Sequence, residues 1–408
     1  MHGSASISMT TKAAFVLGLL CTVSAAMGQS NSGALGIAGH VYNSHDGQPL
    51  AGVVVTVESN QNNQDDQRRV TSKDGGYAFA HLEPGGYTIT AFRSGFIGEI
   101  YGMTPAGSVS TLDLRPGKSR DNIDFHLPAS PPITEMPNEA MAAAYPQNLS
   151  NLGAVYGRFS PDGNLLAIVT NGIVIGNPEQ VWLYDLRTKK LFAVTETPVP
   201  KVSPAILAIG WAGNTLYVEG DRTQSTRNFV VKATADGAEE ISALPPEAQK
   251  NQTEPWVDYD DTVGSYRVWV EKPCHGCGFD LNARAFNASE QFTIASDMSG
   301  TGSATFVFDP PAPIVFYPVI SWNGAIVAFN LETRRATRLD LPIHRFSNLL
   351  AAKKEQDGFL LAYAVDSGSC TPKLSSYGED IWLLPNNTAL RRQKHPMSIC
   401  FVLMHPGE

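Results

Sequence analysis

"RFSPDGNLLAIV", residues Arg158–Val169, reads as a short strand, a tight turn at Pro161-Asp162-Gly163 and a second strand. The turn residues have a physical logic: proline presets φ, aspartate folds back on its own backbone, and glycine accepts a positive φ. Whether this hairpin stands alone decides the fold of most of the 408-residue chain. It does not stand alone. Similar hairpins turn around Gly213 in "IGWAGNTLYVEG", Gly264 in "VDYDDTVGSYRVWV", Pro311 in "TFVFDPPAPIVFYPV" and Gly358 in "LAAKKEQDGFLLAYAV". From Gly163 onward the spacings are 50, 51, 47 and 47 residues.

Each hairpin is followed, roughly 22 to 28 residues on, by a second one. These are "VWLYDLRTKKLFAVT", "FVVKATADGAEEISAL", a weak one around "RAFNASEQFTI", "IVAFNLETRRATRLDL" and "IWLLPNNTALRRQ". Units of four strands at a period near 48 residues are the mark of a β-propeller. One blade cannot bury both faces, so blades must stack around an axis. "FSPDG" followed by "VWLYDL" resembles the repeats of TolB-like and WD-repeat-like propellers, fully in the first unit and in degenerate form in the others. Five blades are expected, with "SICFVLMHP" after the fifth supplying a closing strand or part of a sixth. A second β-sandwich, or two, is the competing architecture.

Upstream, residues 35–127 also alternate as strands. "IAGHVYN" and "GVVVTVES" flank the turn "SHDGQPLA", and glycine turns follow at Asp74-Gly75-Gly76 and Pro84-Gly85-Gly86. Tyr77, Phe79 and Tyr87 flank those turns and are expected to alternate inward and outward, and "NIDFHL" closes the unit. Seven or so strands in this length make a small β-sandwich. Gly39, Val41, Gly47, Pro49, Leu50 and Gly52, then "DGGYAFAHLEPGGYTI", then Gly95 and Phe96, resemble the carboxypeptidase regulatory-like family, a transthyretin-like sandwich. The resemblance implies an accessory domain of an exported protein. Residues 128–151, rich in Pro and Ala without a strand pattern, are expected to form an extended linker, and residues 152–408 the propeller.

The ends and the charge narrow the function classes. "KAAFVLGLLCTVSAAMG" (Lys12–Gly28) has one cation, a short apolar core and small residues, which fits a secretory signal peptide over residues 1–28 cleaved after Ala25 or Gly28. Export follows, to the periplasm, the envelope or the medium, with no transmembrane segment expected in the mature chain. The formal net charge of −9 argues against a nucleic-acid partner, which would need Lys and Arg against phosphates.

Four cysteines remain beyond the signal: Cys274, Cys277, Cys370 and Cys400. An even number in an exported chain favours disulfides, with Cys370 to Cys400 as the long bridge that would tie the last strand to the last blade. Cys274-His275-Gly276-Cys277 also has the spacing of half a zinc site or a redox pair. A zinc site needs two further ligands, and a redox pair needs a helix N-terminus that the surrounding strands do not offer. Gly-x-Ser-x-Gly, His-Glu-x-x-His and phosphate-loop motifs are missing from the sequence, and no cofactor is expected. The acidic run Asp258-Tyr259-Asp260-Asp261 reads as a solvated turn before it reads as a calcium site, and most of the six tryptophans, all in the propeller, as inter-blade core, with one or two at a rim able to stack on a sugar.

The resulting expectation is an all-β exported binding protein without enzymatic activity. Its propeller face would engage an envelope or extracellular protein. Carbohydrate binding through an exposed aromatic row is the alternative, and a hydrolase or lyase with carboxylates in the channel the third.

Overall fold

The computed structural model describes residues 35–60, 66–103, 109–137, 152–172, 180–195, 204–222, 228–249, 252–253, 260–271, 279–298, 307–308, 313–319, 324–342, 346–365, 370 and 398–405. The signal-peptide segment and "IWLLPNNTALRRQ" lie outside the described residues.

The N-terminal unit contains β1 (Leu35–Asn43), β2 (Val54–Ser59), β3 (Gln67–Val70) and β4 (Gly76–Leu82). It continues with β5 (Gly85–Phe92), β6 (Glu99–Ile100), β7 (Leu112–Leu114) and β8 (Phe125–Leu127). One sheet has the order β4-β1-β8 and the other β3-β2-β5-β6, with β7 pairing β5. Alternation along β1 sends Ile37 and Val41 into the core and His40 to solvent. The inward row meets Val55, Phe79, Ile89 and Phe125 in one apolar cluster between the sheets. Tyr77, Phe79 and Tyr87 do not alternate inward and outward: Tyr77 and Phe79, two apart on β4, share its inner face, and Tyr87 on β5 points into the same core. Gly39 is required by packing, since a Cβ there would lie 1.9 Å from the Ile123 carbonyl oxygen.

Next in sequence comes β9 (Ile133–Glu135), which belongs to neither sheet of the sandwich. The first blade is β10 (Leu152–Phe159), β11 (Leu165–Gly172), β12 (Gln180–Asp185) and β13 (Lys190–Ala193). The second is β14 (Pro204–Ala212), β15 (Thr215–Arg222), β16 (Asn228–Thr234) and β17 (Gly237–Ile241), and β18 (Gln252–Thr253) pairs with the other edge of β14. The third is β19 (Asp260–Val263), β20 (Tyr266–Glu271), β21 (Phe279–Ala285) and β22 (Phe292–Met298). The fourth is β23 (Val307–Phe308), β24 (Ile314–Val319), β25 (Ala325–Asn330) and β26 (Arg335–Asp340). All four are antiparallel meanders in chain order.

The fifth blade differs. It has the order β27 (Phe346–Glu355), β28 (Gly358–Val365), β29 (Ser398–Met404) and then β9. Val402 pairs with Ile133, Phe401 with Thr134 and Cys400 with Glu135. The segment expected as linker therefore supplies the outermost strand of the last blade. "SICFVLMHP" is the third strand of that blade rather than the start of a sixth.

The turns explain the repeat. Gly163, Gly213 and Gly264 all adopt positive φ (71°, 56° and 58°) at the tips of their first hairpins. In the second hairpins of blades one and four, Asp185 and Asn330 play the same part. Asp185 Oδ1 accepts the Arg187 and Thr188 amides, and Asn330 Oδ1 accepts the Glu332 and Thr333 amides. Lys189 and Arg334 then take left-handed φ (60° and 55°). "DLRTKK" and "NLETRR" are thus one turn written twice.

Blade-to-blade packing is apolar. Blade five meets blade one through Leu350, Ala362 and Phe401 against Phe159, Ile168 and Trp182, with Tyr184 stacked on Phe401 at 5.8 Å. Gly157 makes room there: a Cβ would lie 2.9 Å from Leu350 Cβ. Blade five meets blade four through Phe359 and Tyr363 against Phe316 and Ile326. Blades one and two share Val169 and Leu183 with Ile209 and Trp211, and blades three and four share Val268 and Leu281 with Val315 and Phe329. This is a β-propeller with five blade sheets among the described residues.

Candidate binding surfaces

Cys370 and Cys400 are bonded to each other and fully buried. Cys400 lies on β29, directly opposite Glu135 of β9, so the bridge anchors the strand that holds the closing strand. Cys274 and Cys277 lie outside the described residues. Asp258 and Tyr259 do as well, while Asp260 and Asp261 open β19 and pair with Trp269 and Val268. No group of three His, Cys, Asp or Glu suited to a metal ion occurs among the described residues. Trp182 and Trp211 are buried between blades one and two or one and five, as inter-blade core requires. Trp269 is half-buried with the Arg267 guanidinium 5.4 Å from its ring. Trp256, Trp322 and Trp382 lie outside the described residues.

A row of rings crosses the outer face of the sandwich. His40 stacks on Tyr42 at 6.0 Å and Tyr42 on His126 at 5.3 Å, each pair within 24° of parallel. The row arises because β1 and β8 run parallel with Tyr42 opposite His126, and alternation sends His40 and Tyr42 to the same side. Asp124 Oδ1 accepts the His40 amide at 2.8 Å, and Glu99 Oε2 accepts the His126 amide at 3.0 Å. Burial raises the Glu99 pKa, against the lowering pull of that amide and of His126. The rings face one another, so the row offers solvent mainly edges rather than a flat platform.

One disc face is laced together by the first-hairpin turns. Asp162 accepts Ser160 Oγ at 2.6 Å and the Asn164 amide at 3.0 Å within its own turn. Its other oxygen accepts the side chains of Asn164 at 2.7 Å and of Asn214, in blade two, at 2.8 Å. From the other side, Lys353 of blade five donates to the Gly163 carbonyl at 2.8 Å. These groups are spent on one another, and the turn gives rigidity rather than a site.

A cleft of about 370 Å³ opens where the sandwich joins the propeller. Its apolar walls are Pro131 and Pro132 of the joint, Leu339 of β26, and Leu403 and Met404 of β29, and Arg338 and His405 give it polar corners. The joint itself is short. The Ile97 and Ser130 amides bond the Pro128 and Gly95 carbonyls on the sandwich side, and Ile133 is already paired in the propeller. Only Pro131 and Pro132 lie between the two anchorages. Sequence reasoning missed this cleft because its walls come from segments more than 200 residues apart.

Residues 36–128 match the carboxypeptidase regulatory-like domain, so the N-terminal unit is a sandwich of that type. No curated protein matches the chain in sequence. Among solved structures, TolB from Acinetobacter baumannii is 12% identical over 72% of this chain and 65% of its own, with a TM-score of 0.23. The WD40 repeats of RRP9 are 12% identical over 61% of this chain and 79% of theirs, at 0.29. A prolyl endopeptidase structure is 10% identical over 56% of this chain, which spans 35% of that protein, at 0.21. At such scores these likenesses carry no argument about activity, and the propeller rests on the strand pairing described above.

Proposed function

We propose that the chain is an exported, non-enzymatic binding protein whose propeller presents a rigid disc to an envelope or extracellular protein, with the sandwich fixed at its rim. The observation that carries this reading is the pairing of β9, which precedes blade one in sequence, with β29 of blade five, where the Cys370–Cys400 bridge fastens β29 within that blade. A closed disc offers loops at fixed positions, so many weak contacts add without an ordering cost at each encounter. The buried disulfide suits an oxidising compartment, in line with the signal-like N-terminal segment. No helix among the described residues is long and apolar enough to cross a membrane. Exposed apolar side chains on blades two and three, Leu207 and above all Phe286 at 64% exposure, supply anchors of the kind protein interfaces use.

The test is capture from the producing organism's envelope and culture fractions, with the oxidised chain beside a propeller starting at Pro131. A discrete protein held by both supports the reading. Retention of glycan, released by free sugar and lost in a Tyr42→Ala variant, would replace it with carbohydrate binding on the ring row. Capture that needs Cys274 or Cys277 with zinc would point to a metal-dependent role.

A further inference from the structure

We propose that the face of blade three turned away from blade four binds a short peptide with both termini free, about four residues long. Apolar clusters fill the seams between blades five and one, four and five, one and two, and three and four, and none among the described residues joins blades two and three. Strands β20 and β21 send Val268, Val270, Leu281 and Ala283 toward blade four. Alternation puts the residues between them on the opposite side, toward blade two. That side is open to water: Arg267 and Glu271 are exposed, and Trp269, Asp280 and Arg284 are half-buried.

The register orders this face from a cationic to an anionic end. Arg267 stands opposite Arg284, Trp269 opposite Asn282, and Glu271 opposite Asp280. Like charges set directly opposite each other weaken a sheet, and here two such pairs, of opposite sign, share the same two strands. The strand rise from Arg267 to Glu271 separates the pairs by about 13 Å. An extended tetrapeptide carries its ammonium and its carboxylate about that far apart. Between the two ends, the Arg267 guanidinium lies over the Trp269 ring at 5.4 Å, so the cationic pole borders an indole. Asn282 is only 4% exposed, and its Oδ1 accepts the Thr293 hydroxyl at 2.9 Å. Its amide nitrogen has no acceptor among the described residues and stands midway between the poles, placed to donate to a peptide carbonyl.

The peptide carboxylate goes to the arginine pair, where a guanidinium fork suits both of its oxygens, and the ammonium goes to Glu271 and Asp280. An acidic glycan would set its charge against the second pair as well as the first, so the two poles select a dipolar ligand. The proposal does not rest on the protein-partner reading, and either can fail while the other stands.

The experiment is calorimetric titration of the full oxidised chain with the peptide Ala-Phe-Leu-Ala, its acetylated and amidated forms, a ten-residue peptide and tetragalacturonate. The indole N–H signal of Trp269 in NMR, assigned through Trp269→Phe, locates the binding. The free tetrapeptide should bind saturably and move that signal, and either cap should weaken it about tenfold. Arg284→Gln should cost about tenfold for the free peptide and little for the amidated one. Glu271→Gln should cost about tenfold for the free peptide and little for the acetylated one. Neither variant should lower the urea midpoint, since each relieves a like-charge pair, and this separates lost binding from lost fold. The proposal is wrong if the tetrapeptide does not bind, or if the caps and both substitutions leave its affinity as it was. Equal binding of the ten-residue peptide, or binding of tetragalacturonate in place of the tetrapeptide, would overturn it as well.

Discussion

The first and fifth blades have the same four antiparallel strands, but the chain delivers them in different ways. Blade one is one continuous run from Leu152 to Ala193. Blade five is assembled from Phe346–Val365, from Ser398–Met404 after a long connection, and from Ile133–Glu135, which precedes blade one in sequence. The difference is what closes the ring. A disc whose blades all came in chain order would meet only face to face at its seam. Here the seam is also laddered, because the chain enters through the last blade before it builds the first. Met136, directly after β9, is fully buried between blades five and one, and its amide bonds the Ile399 carbonyl at 2.8 Å. Ser398 Oγ bonds Glu135 at 2.5 Å beside the same strand.

The comparison breaks most sharply by truncation. A chain starting at Leu152 keeps every strand of blade one and loses the outer strand of blade five. It gives up three strand pairs and the burial of Met136, the latter alone about 2–5 kcal/mol. That is a large part of a domain stability of about 5–15 kcal/mol. A chain starting at Pro131 should melt cooperatively, and the one starting at Leu152 should melt far lower or lose its cooperative transition. Equal midpoints in urea would show that β9 is ornamental.

The next effect is that of the disulfide. Cys370 and Cys400 are 30 residues apart, and a loop of that size predicts about 3.5 kcal/mol lost on replacing both by serine. The loss should fall on blade five and its seams. Hydrogen exchange should therefore speed up in Ser398–Met404 and Ile133–Glu135 while β11 and β12 stay protected. Uniform acceleration would mean that the bridge acts only through the unfolded chain.

Blade one was legible because every signal in it is local. Proline, aspartate and glycine set the turn at Gly163, and Asp185 sets the next one, so strand, turn and register follow from adjacent residues. Blade five was legible only in its first hairpin. Nothing local marks Ile-Thr-Glu as a strand: three residues between a Pro pair and Met136-Pro137 pair only because β29 offers an open edge. The disulfide was readable from cysteine parity and from the order of its residues, Cys370 in the last blade and Cys400 in the last strand. The ring row on the sandwich and the joint cleft were not, since one depends on a parallel β1–β8 register and the other on walls from distant segments. Short strands with non-local partners leave little trace in composition.

Asp162 gives a smaller, pH-dependent effect at the seam of blades one and two. Burial raises its pKa, but hydrogen bonds from Ser160 and Asn164 and the Arg187 charge outweigh this, and the net shift is downward. A folded pKa below the unfolded value of about 3.9 gives stability that is present above that value and lost as pH falls through the folded one. In Asp162→Asn the new amide must face the donor groups of Asn164 and Asn214 across about the same distance. A loss of about 1 kcal/mol is expected at pH 7, shrinking toward zero below the folded pKa. A loss that stays constant down to pH 2 would put the effect on shape rather than charge.

Asp185→Asn should have the smallest effect, and blade four shows why. Burial raises the Asp185 pKa, yet the Arg187 and Thr188 amides, with the Thr188 hydroxyl and the Arg187 charge, bring the net shift down. Its contribution is therefore also complete above the unfolded carboxylate value and lost in acid. Both backbone bonds, however, go to a single oxygen, Oδ1, at 2.8 and 3.3 Å. An asparagine keeps that oxygen. Blade four already has Asn330 at the equivalent place, accepting two amides at 2.9 Å in the same turn, with Arg334 left-handed where blade one has Lys189. The variant should lose less than about 0.5 kcal/mol at pH 7, chiefly the weak attraction to the exposed Arg187 side chain, and its stability should vary less with pH below 5 than that of the parent. Urea unfolding at pH 7 and pH 3 checks both halves. A loss above about 1 kcal/mol at pH 7 would mean that the carboxylate charge, and not the shared Oδ1 geometry, holds this turn in blade one, and that the two blades reach one backbone shape by different physics.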